Sequence, residues 1–276
     1  MINVVDNYCD FPNALRRPMW RIWHNLLIRF DKDSTVNFMN YGYAGLNGDK
    51  PILLKEEDEI NRYCIQLYHH VVNSVNLENK KVIEIGSGRG GGADYISRYY
   101  KPEKYTGVDI SSGVIKFCNR CYNVSGLSFL EGRAEKIPVD DATYDALVNV
   151  ESARCYSDIK LFFQEVYRVL NDDGDFLLAD MIEKGKVDEI RKKLKECGFK
   201  IVSENDITKN VVKGLDLDTK RREQQIRKKV PGMLHKSFEK FAGTKGSTRY
   251  NSFNDGTFEY WSFVLKKTNE HPFYEL

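Results

Sequence analysis

Lys81-Val-Ile-Glu-Ile-Gly-Ser-Gly-Arg-Gly-Gly-Gly-Ala93 is the stretch of sequence that decides the fold. Its apolar residues Val82, Ile83 and Ile85 are β-branched, which predicts a buried strand. Five glycines among the next seven residues end that strand, and the run from Ala93 to Tyr100 is typical of a helix. A strand, a glycine turn and a helix start bring the backbone close to a nucleotide-sized ligand.

Two acidic residues on either side of the glycine turn narrow the choice of ligand. The glycines alone fit the G-x-G-x-x-G fingerprint of dinucleotide-binding proteins, which is weak evidence by itself. Glu84 lies two residues before the turn, inside an otherwise apolar strand. Asp109 lies near the end of a second strand-like run, 105–110, where a carboxylate can accept hydrogen bonds from both hydroxyls of a ribose. We therefore predict a site for a ligand that contains a nucleoside.

The composition is that of a soluble globular protein. The chain has 276 residues, of which 41% are hydrophobic and 30% charged, with a net charge of +2. This small charge argues against a nucleic-acid partner, and no run is apolar enough for stable insertion into a membrane. The N-terminus lacks the pattern of a secretory signal, and the six cysteines are scattered, with one isolated C-x-x-C at Cys118 and Cys121. We expect a cytoplasmic protein without a metal site.

Strands and helices alternate after residue 80. This rhythm predicts an α/β fold with a doubly wound, seven-stranded, mostly parallel sheet and ligands at the carboxyl ends of the strands. The predicted strands are 82–85, 105–110, 127–130, 144–150, 175–180, a sixth from residue 199, and 258–265, whose alternating pattern suits antiparallel pairing. A turn at 171–174 precedes the fifth strand, and Ser111 or Ser112, Asp158 and Gly198 mark helix ends.

Four regions follow from this rhythm. We expect an N-terminal helical lid at 1–75, a cofactor-binding α/β core at 76–205, a helical insertion at 206–256 and the last strand of the core at 257–276. The insertion should form a wall of the substrate site. Its basic run, 220–229, is interpreted as a solvated helix face.

The segment Glu84-Ile-Gly-Ser-Gly-Arg-Gly90 resembles the first motif of class I S-adenosylmethionine-dependent methyltransferases, E-x-G-x-G-x-G. Segments 131–138, 144–151 and 165–174 resemble later motifs of that family. More specifically, 38–43, 149–156 and 241–247 resemble a subgroup that includes phthiotriolone-type O-methyltransferases and triterpene C-methyltransferases. The acceptors of that subgroup are mostly lipophilic. The resemblance implies the Rossmann-like methyltransferase fold and S-adenosylmethionine as cofactor.

The resemblance also implies which residues bind the cofactor. Glu84 is expected near the methionine end, Asp109 at the ribose, and Tyr41, with Tyr43, over the methionine end. Arg133 departs from the family pattern, because relatives have an acid or amide there that accepts the adenine amino group. The full predicted set is Tyr41, Glu84, Gly86, Ser87, Gly88, Asp109, Ile110, Arg133, Ala134 and Asn149.

Methyl transfer from a sulfonium is an in-line displacement, and a base is needed only when the acceptor must lose a proton. Three residues are candidates for catalytic roles. Glu151 follows the fourth strand, His24 lies in the N-terminal segment, and Arg154 stands where the subgroup more often has histidine. That substitution leaves the identity of the base open.

The favoured prediction is O-methylation of a hydroxyl on a small, lipophilic acceptor. Carbon or nitrogen methylation by the same fold remains open, as do a non-catalytic member of the fold and an NAD-dependent dehydrogenase. A dehydrogenase would explain the glycines and Asp109 but not Glu84. A nucleic-acid methyltransferase is disfavoured because an Asn-Pro-Pro-Tyr-like motif is absent. The acceptor and the oligomeric state are not specified by the sequence.

Overall fold

The computed structural model describes residues 30–31, 33–46 and 52–268. Seven strands form one sheet: β1 (Lys81–Ile85), β2 (Lys104–Asp109), β3 (Leu127–Glu131), β4 (Tyr144–Val150), β5 (Leu170–Glu183), β6 (Phe199–Asp206) and β7 (Phe258–Lys267). Their order is β3-β2-β1-β4-β5-β7-β6, and only β7 runs antiparallel to its neighbours. The predicted fold class is confirmed.

Helices cover both faces of this sheet. They are α1 (Arg62–Val72), α2 (Gly91–Tyr100), α3 (Ser112–Cys121), α4 (Ile159–Val169), α5 (Val187–Glu196), α6 (Thr208–Lys229), α7 (His235–Phe241) and α8 (Thr248–Asn254). Ser111 and Asp158 cap α3 and α4, each accepting hydrogen bonds from backbone N–H groups of the first turn. No helix among the described residues is both long and apolar enough to cross a bilayer.

The strand order locates the ligand crevice. The chain adds β2 and β3 on one side of β1 and then returns to add β4 on the other side. The connections after β1 and β4 therefore leave in opposite directions and open a crevice at the carboxyl ends of these strands. The glycine turn follows β1 and Glu151 follows β4, so both border this crevice.

Each central strand sends alternate side chains to two separate apolar layers. On β1, Val82 joins the layer beneath α1 and α2, and Ile83 and Ile85 join the layer on the opposite face. By the same alternation, Glu84 shares the face of Val82. This placement puts the carboxyl group inside the protein, under α1.

The turn predicted at 171–174 is instead part of β5. The strand begins at Leu170, which pairs with Tyr144, and the pairing with β4 then shifts in register before Asp175. Asp173 takes a left-handed conformation, with φ of 57°. The residues predicted as a turn form an irregularity within the strand, because backbone pairing with β4 continues on both sides of it.

The described part of the N-terminal region has two different roles. Residues 33–46 are irregular, whereas α1 packs on the sheet. His70 of α1 lies 3.0 Å from the Ser262 hydroxyl of β7 and stacks on Tyr43. Helix α1 therefore packs as part of the core, and the lid expected for the rest of 1–75 stays a prediction.

Candidate active site

One large cavity opens at the carboxyl ends of β1, β2 and β4. It has a volume of about 1100 Å³, part of it open to solvent. The predicted site residues that line it are Tyr41, Gly86, Ser87, Gly88, Asp109, Ile110, Ala134, Glu151 and Arg154. The structure thus brings together most of the residues selected from separate motifs.

The glycine turn forms the floor of this cavity. Backbone N–H groups of Gly86 and Ser87 both donate to the carbonyl of Val108, at 2.8 and 3.0 Å, which fastens the turn to β2. Gly86 has φ of 77°, and a Cβ there would lie 2.3 Å from the Ser152 hydroxyl oxygen. A side chain at this position is therefore excluded both by conformation and by space.

Asp109 ends β2 and faces the cavity. Its Oδ2 accepts from the Gly88 N–H at 3.1 Å, and its Oδ1 accepts from the Ser111 N–H at 2.9 Å. These two bonds hold the carboxylate in one orientation. A carboxylate has about four acceptor positions, so Asp109 retains capacity for a pair of ligand hydroxyls.

Several polar atoms of the cavity lining have no partner among the described residues. They are Oδ1 of Asn37, Oδ1 of Asn40, the hydroxyl of Ser87, and Nε and Nη1 of Arg89. Buried polar atoms are nearly always hydrogen-bonded, so a group of them along one cavity indicates a polar ligand. The set offers acceptors for a cationic group and guanidinium donors for a carboxylate.

Arg89 belongs to this set although it is only 2% exposed. Its guanidinium pairs with Asp31 and lies 3.9 Å above the ring of Phe117. Burial lowers the pKa of Arg89, and the nearby Asp31 opposes that shift. These contacts hold a charged donor group beside the glycine turn.

Glu84 does not line the cavity. It is fully buried, with Oε1 accepting from the Tyr68 hydroxyl at 2.8 Å and Oε2 from the Tyr105 hydroxyl at 3.0 Å. Burial raises its pKa to about 7, although both tyrosine bonds act in the opposite direction. Glu84 is connected to the cavity through Tyr68, which lines it, and its expected place near the methionine end stays a prediction.

Glu151 lines the cavity, and its backbone is strained. Its φ is 54°, in the left-handed region that glutamate rarely adopts. Oε1 accepts from the Tyr41 N–H at 2.7 Å and from the Tyr260 hydroxyl at 2.9 Å. Burial raises the pKa of Glu151 to about 7, opposed by the Arg154 guanidinium and the Tyr41 N–H.

Arg154 forms an ion pair with an acidic residue of β5. Its Nη1 lies 2.5 Å from Oδ1 of Asp180, and its backbone N–H donates to Oδ2 of the same residue at 3.0 Å. Its Nη2 is 3.9 Å from Oε2 of Glu151. A permanently charged guanidinium cannot accept a proton, so Arg154 can only orient and balance the neighbouring carboxylates.

Segment 33–46 closes one side of the cavity and is tied down by α6. Arg222 donates to the carbonyls of Asn40 and Tyr41, at 3.0 and 3.1 Å, and pairs with Asp218 at 2.8 Å. Arg222 is buried, so the interpretation of 220–229 as a solvated face is wrong for this residue. The hydrogen bonds from its guanidinium hold the backbone of Asn40 and Tyr41 in place. The Tyr41 N–H is thereby positioned to donate to Glu151.

Three other predicted residues lie away from the cavity wall, and one lies outside the described residues. Arg133 is exposed at a tight turn that ends at Lys136, because a guanidinium without a buried partner stays hydrated. Asn149 is buried beneath the floor, where Nδ2 donates to the Ile85 carbonyl at 2.8 Å. Tyr43 packs on His70 rather than on the cavity. His24 lies outside the described residues.

Sequence reasoning missed several residues of the site. Asn37, Asn40, Arg89 and Tyr156 all line the cavity, and Tyr260 binds Glu151 from β7. Arg89 and Tyr156 lie within the segments 84–90 and 149–156, which were selected for other residues. Their closeness in sequence to those residues could have identified them as part of the site. Tyr260 is 109 residues from Glu151 in sequence, and no local pattern connects the two.

Comparisons with known proteins identify the family. Residues 83–178 match the family model described as a methyltransferase domain. The chain is 36% identical over 241 residues to a fatty-acid O-methyltransferase of Mycolicibacterium smegmatis, covering 87% of this chain and 86% of that protein. The chain belongs to the S-adenosylmethionine-dependent methyltransferases.

A second relative agrees with this methyltransferase assignment, and two solved structures share the fold. The phthiotriol/phenolphthiotriol dimycocerosates methyltransferase of Mycobacterium leprae is 30% identical, over 91% of this chain and 93% of its own. The cyclase SpnF superposes with a TM-score of 0.72 at 14% identity, covering 94% and 97%. The geranyl diphosphate C-methyltransferase of Streptomyces coelicolor superposes with a TM-score of 0.62 at 17% identity, covering 87% and 93%. At these identities the structures bear on the fold alone.

The methyltransferase cavity fits S-adenosylmethionine. The cofactor carries a ribose, an ammonium and a carboxylate, and the cavity offers Asp109, unpaired amide oxygens and unpaired Arg89 donors. The N-terminus of α2 also opens on the cavity at Gly91 and Gly92, where its partial positive charge favours a carboxylate. A dehydrogenase is excluded by the family assignment.

Proposed function

We propose that this methyltransferase transfers the methyl group of S-adenosylmethionine to a hydroxyl oxygen of a lipophilic small molecule, with Glu151 as general base. The observation that carries the proposal is the state of Glu151. This carboxyl group lines the cavity, and burial raises its pKa to about 7. A base with a pKa near the operating pH is the most effective at removing a hydroxyl proton.

The hydrogen bonds to Glu151 leave its second carboxylate oxygen, Oε2, able to accept a proton. Both hydrogen bonds go to Oε1, from Tyr41 and Tyr260, while Oε2 faces the Arg154 guanidinium at 3.9 Å. The proton of the acceptor hydroxyl passes to Oε2, and the oxygen gains the electron pair that forms the new bond to carbon. S-adenosylmethionine, when bound, supplies a methyl group on a sulfonium leaving group.

Asp180 and Arg154 position this base. Arg154 has two neighbouring carboxylates, Asp180 and Glu151, and forms an ion pair with Asp180 at 2.5 Å. The three side chains together carry one net negative charge when Glu151 is ionised. That charge repels an acceptor that arrives as a carboxylate and suits one that arrives neutral, such as an alcohol.

Methylation of a carboxylate is the second candidate. The fatty-acid O-methyltransferase relative favours it through its printed name. A carboxylate needs no base, so this reaction would leave Glu151 without a role in proton transfer. The two candidates therefore differ in their response to the loss of Glu151.

The test is transfer of a radiolabelled methyl group from S-adenosylmethionine to matched linear alcohols and fatty acids. We expect labelled ethers from the alcohols and a rate that falls strongly in Glu151→Gln. Labelled esters from the acids at an unchanged rate in the variant would favour the second candidate. The absence of both labelled ethers and labelled esters, with S-adenosylmethionine binding intact, would contradict both.

We also infer that the reaction takes place in the cytoplasm. The described cysteines, Cys64, Cys118, Cys121, Cys155 and Cys197, are all free thiols. Free thiols are usual where the redox environment is reducing. Fractionation of the native cells with an antibody against the chain tests this location.

A further inference from the structure

A second cavity of about 680 Å³ lies next to the first, between α6, α7 and residues 30–31 and 36–39. We call it the side chamber. Phe38, Met39 and Phe241 line both cavities, so these three side chains form the partition between them. The side chamber is therefore adjacent to the first cavity.

The wall of the side chamber beyond this partition is largely apolar. Val36, Ile226, Val230, Phe238 and Ala242 contribute to it. Apolar cavities with few polar groups select their ligands by shape and by the area removed from water. This wall suits a hydrocarbon.

The charged groups of the wall are already in ion pairs, either within the wall or, as for Arg221 and Arg222, with Asp218 beside it. Lys229 contacts Asp31 at 2.6 Å and also pairs with Asp33, while Asp31 holds Arg89. Arg222 binds Asp218 at 2.8 Å and donates to the Ala242 carbonyl at 3.0 Å. An anionic ligand would have to displace these bonds, so the chamber has little to offer a charged group.

We propose that the side chamber binds the apolar tail of the acceptor, whose reactive hydroxyl lies at Glu151. The proposal rests on the function proposed above and narrows the acceptor to an amphiphile with a reactive head and an unbranched or slender hydrocarbon tail. The partition of Phe38, Met39 and Phe241 separates the two ends. The charge around Glu151 then selects the head group, and the side chamber selects the length and shape of the tail.

The chamber wall and the base are also connected through one backbone segment. Arg222 lines the chamber and donates to the carbonyl of Tyr41, and the Tyr41 N–H donates to Glu151. The same segment, through Phe38 and Met39, forms the partition. Residues 38–41 therefore define both the partition and the orientation of the base.

The test fills the chamber without touching the first cavity. Val36 and Ala242 line the chamber alone, so Val36→Trp and Ala242→Phe occupy it from two different sides. Leu217→Phe is the control, because Leu217 lies on α6 and is 53% exposed, away from both cavities. The substrates are linear primary alcohols from hexanol to hexadecanol, assayed with radiolabelled S-adenosylmethionine.

In the wild type and in Leu217→Phe, kcat/KM should rise by about fourfold for each methylene that enters the chamber. In Val36→Trp and Ala242→Phe, kcat/KM for long alcohols should be at least tenfold lower than in the wild type. With hexanol, kcat/KM should stay within about twofold of the wild-type value. Unchanged chain-length profiles in Val36→Trp and Ala242→Phe, with S-adenosylmethionine binding intact, would overturn the proposal.

A second measurement separates this proposal from the proposed function. Dodecanol is titrated calorimetrically into protein loaded with S-adenosylhomocysteine, so no methyl transfer is required. We expect binding that is weakened at least tenfold in Val36→Trp and unaffected in Leu217→Phe. If no alcohol is methylated but this pattern of binding holds, the proposed function fails and the tail site stands. Equal affinity in Val36→Trp and the wild type would remove the tail site whatever the enzyme methylates.

Discussion

The floor beneath the glycine turn and the wall at the end of β4 each contain a buried glutamate, yet only one of them is suited to chemistry. Burial raises the pKa of both Glu84 and Glu151 to about 7. Glu84 has both oxygens bonded to tyrosine hydroxyls and does not line the cavity, whereas Glu151 has one bonded oxygen and does. A raised pKa marks a functional group only when that group can reach a substrate.

The largest expected effect is the loss of Glu151. Glu151→Gln keeps the hydrogen bond acceptor for Tyr41 and Tyr260 but removes the base, so kcat should fall by about 10²- to 10⁴-fold. Affinity for S-adenosylmethionine, measured by calorimetry, should stay within about twofold. Glu84→Gln is the matched control and should retain near wild-type kcat. A Glu151→Gln enzyme with more than a tenth of the wild-type kcat would contradict the assignment.

Asp109 is a third acid near the turn, and unlike Glu84 it lines the cavity. Asp109→Ala should weaken S-adenosylmethionine binding by about 2–4 kcal/mol, because the ribose hydroxyls lose a charged acceptor. Asp109→Asn, which keeps one acceptor oxygen, should fall between the alanine variant and the wild type. Calorimetric titration measures both, and unchanged affinity in the alanine variant would mean that other residues hold the ribose.

The protonation of Glu84 should affect the free energy of unfolding rather than the catalytic rate. Its pKa is raised from 4.5 in the unfolded chain to about 7 in the fold, so the folded state binds the proton more tightly. The resulting stabilisation is fully present below about pH 4.5 and is lost as pH rises through about 7. Its total is at most about 3 kcal/mol.

Glu84→Gln should remove that part of the pH dependence. The free energy of unfolding of the variant, relative to the wild type, should be higher at pH 8 than at pH 5. Urea denaturation at a series of pH values measures the difference, and Glu151→Gln supplies the comparison for the other buried carboxyl group. An identical pH dependence in Glu84→Gln and the wild type would show that Glu84 is ionised throughout.

The smallest effect concerns the tyrosines that hold each carboxylate. The Tyr260 hydroxyl lowers the pKa of Glu151 by donating to Oε1, so Tyr260→Phe should raise the kinetic pKa. Tyr105→Phe is the matched change at Glu84 and should leave the kinetic pKa in place. The pH dependence of kcat measures both, and equal kinetic pKa values in the two variants would break the distinction between the regions.

The glycine turn and Asp109, which line the cavity, could be selected from the sequence because their signals are local. The glycine turn, Asp109 and the strands on either side are each readable within a short window. The same local reading misjudged the turn at 171–174, where pairing with β4 keeps the chain extended.

The acceptor side was harder to predict because distant segments assemble it. Tyr41 reaches Glu151 across 110 residues, and Arg222 reaches Tyr41 across 181. The cover over Glu84 was equally unpredictable, because Tyr68 of α1 donates to its carboxylate from a separate element. Local patterns carry no information about which distant side chain covers a strand.

The pH dependence of single-turnover methyl transfer tests most directly whether Glu151 is the base. With saturating S-adenosylmethionine and an alcohol acceptor, the rate should rise with pH through an apparent pKa of about 7, since the ionised carboxylate is the active form. Glu84→Gln should keep this profile, and Glu151→Gln should lose it. A profile with the same pKa in Glu151→Gln would contradict the assignment of Glu151.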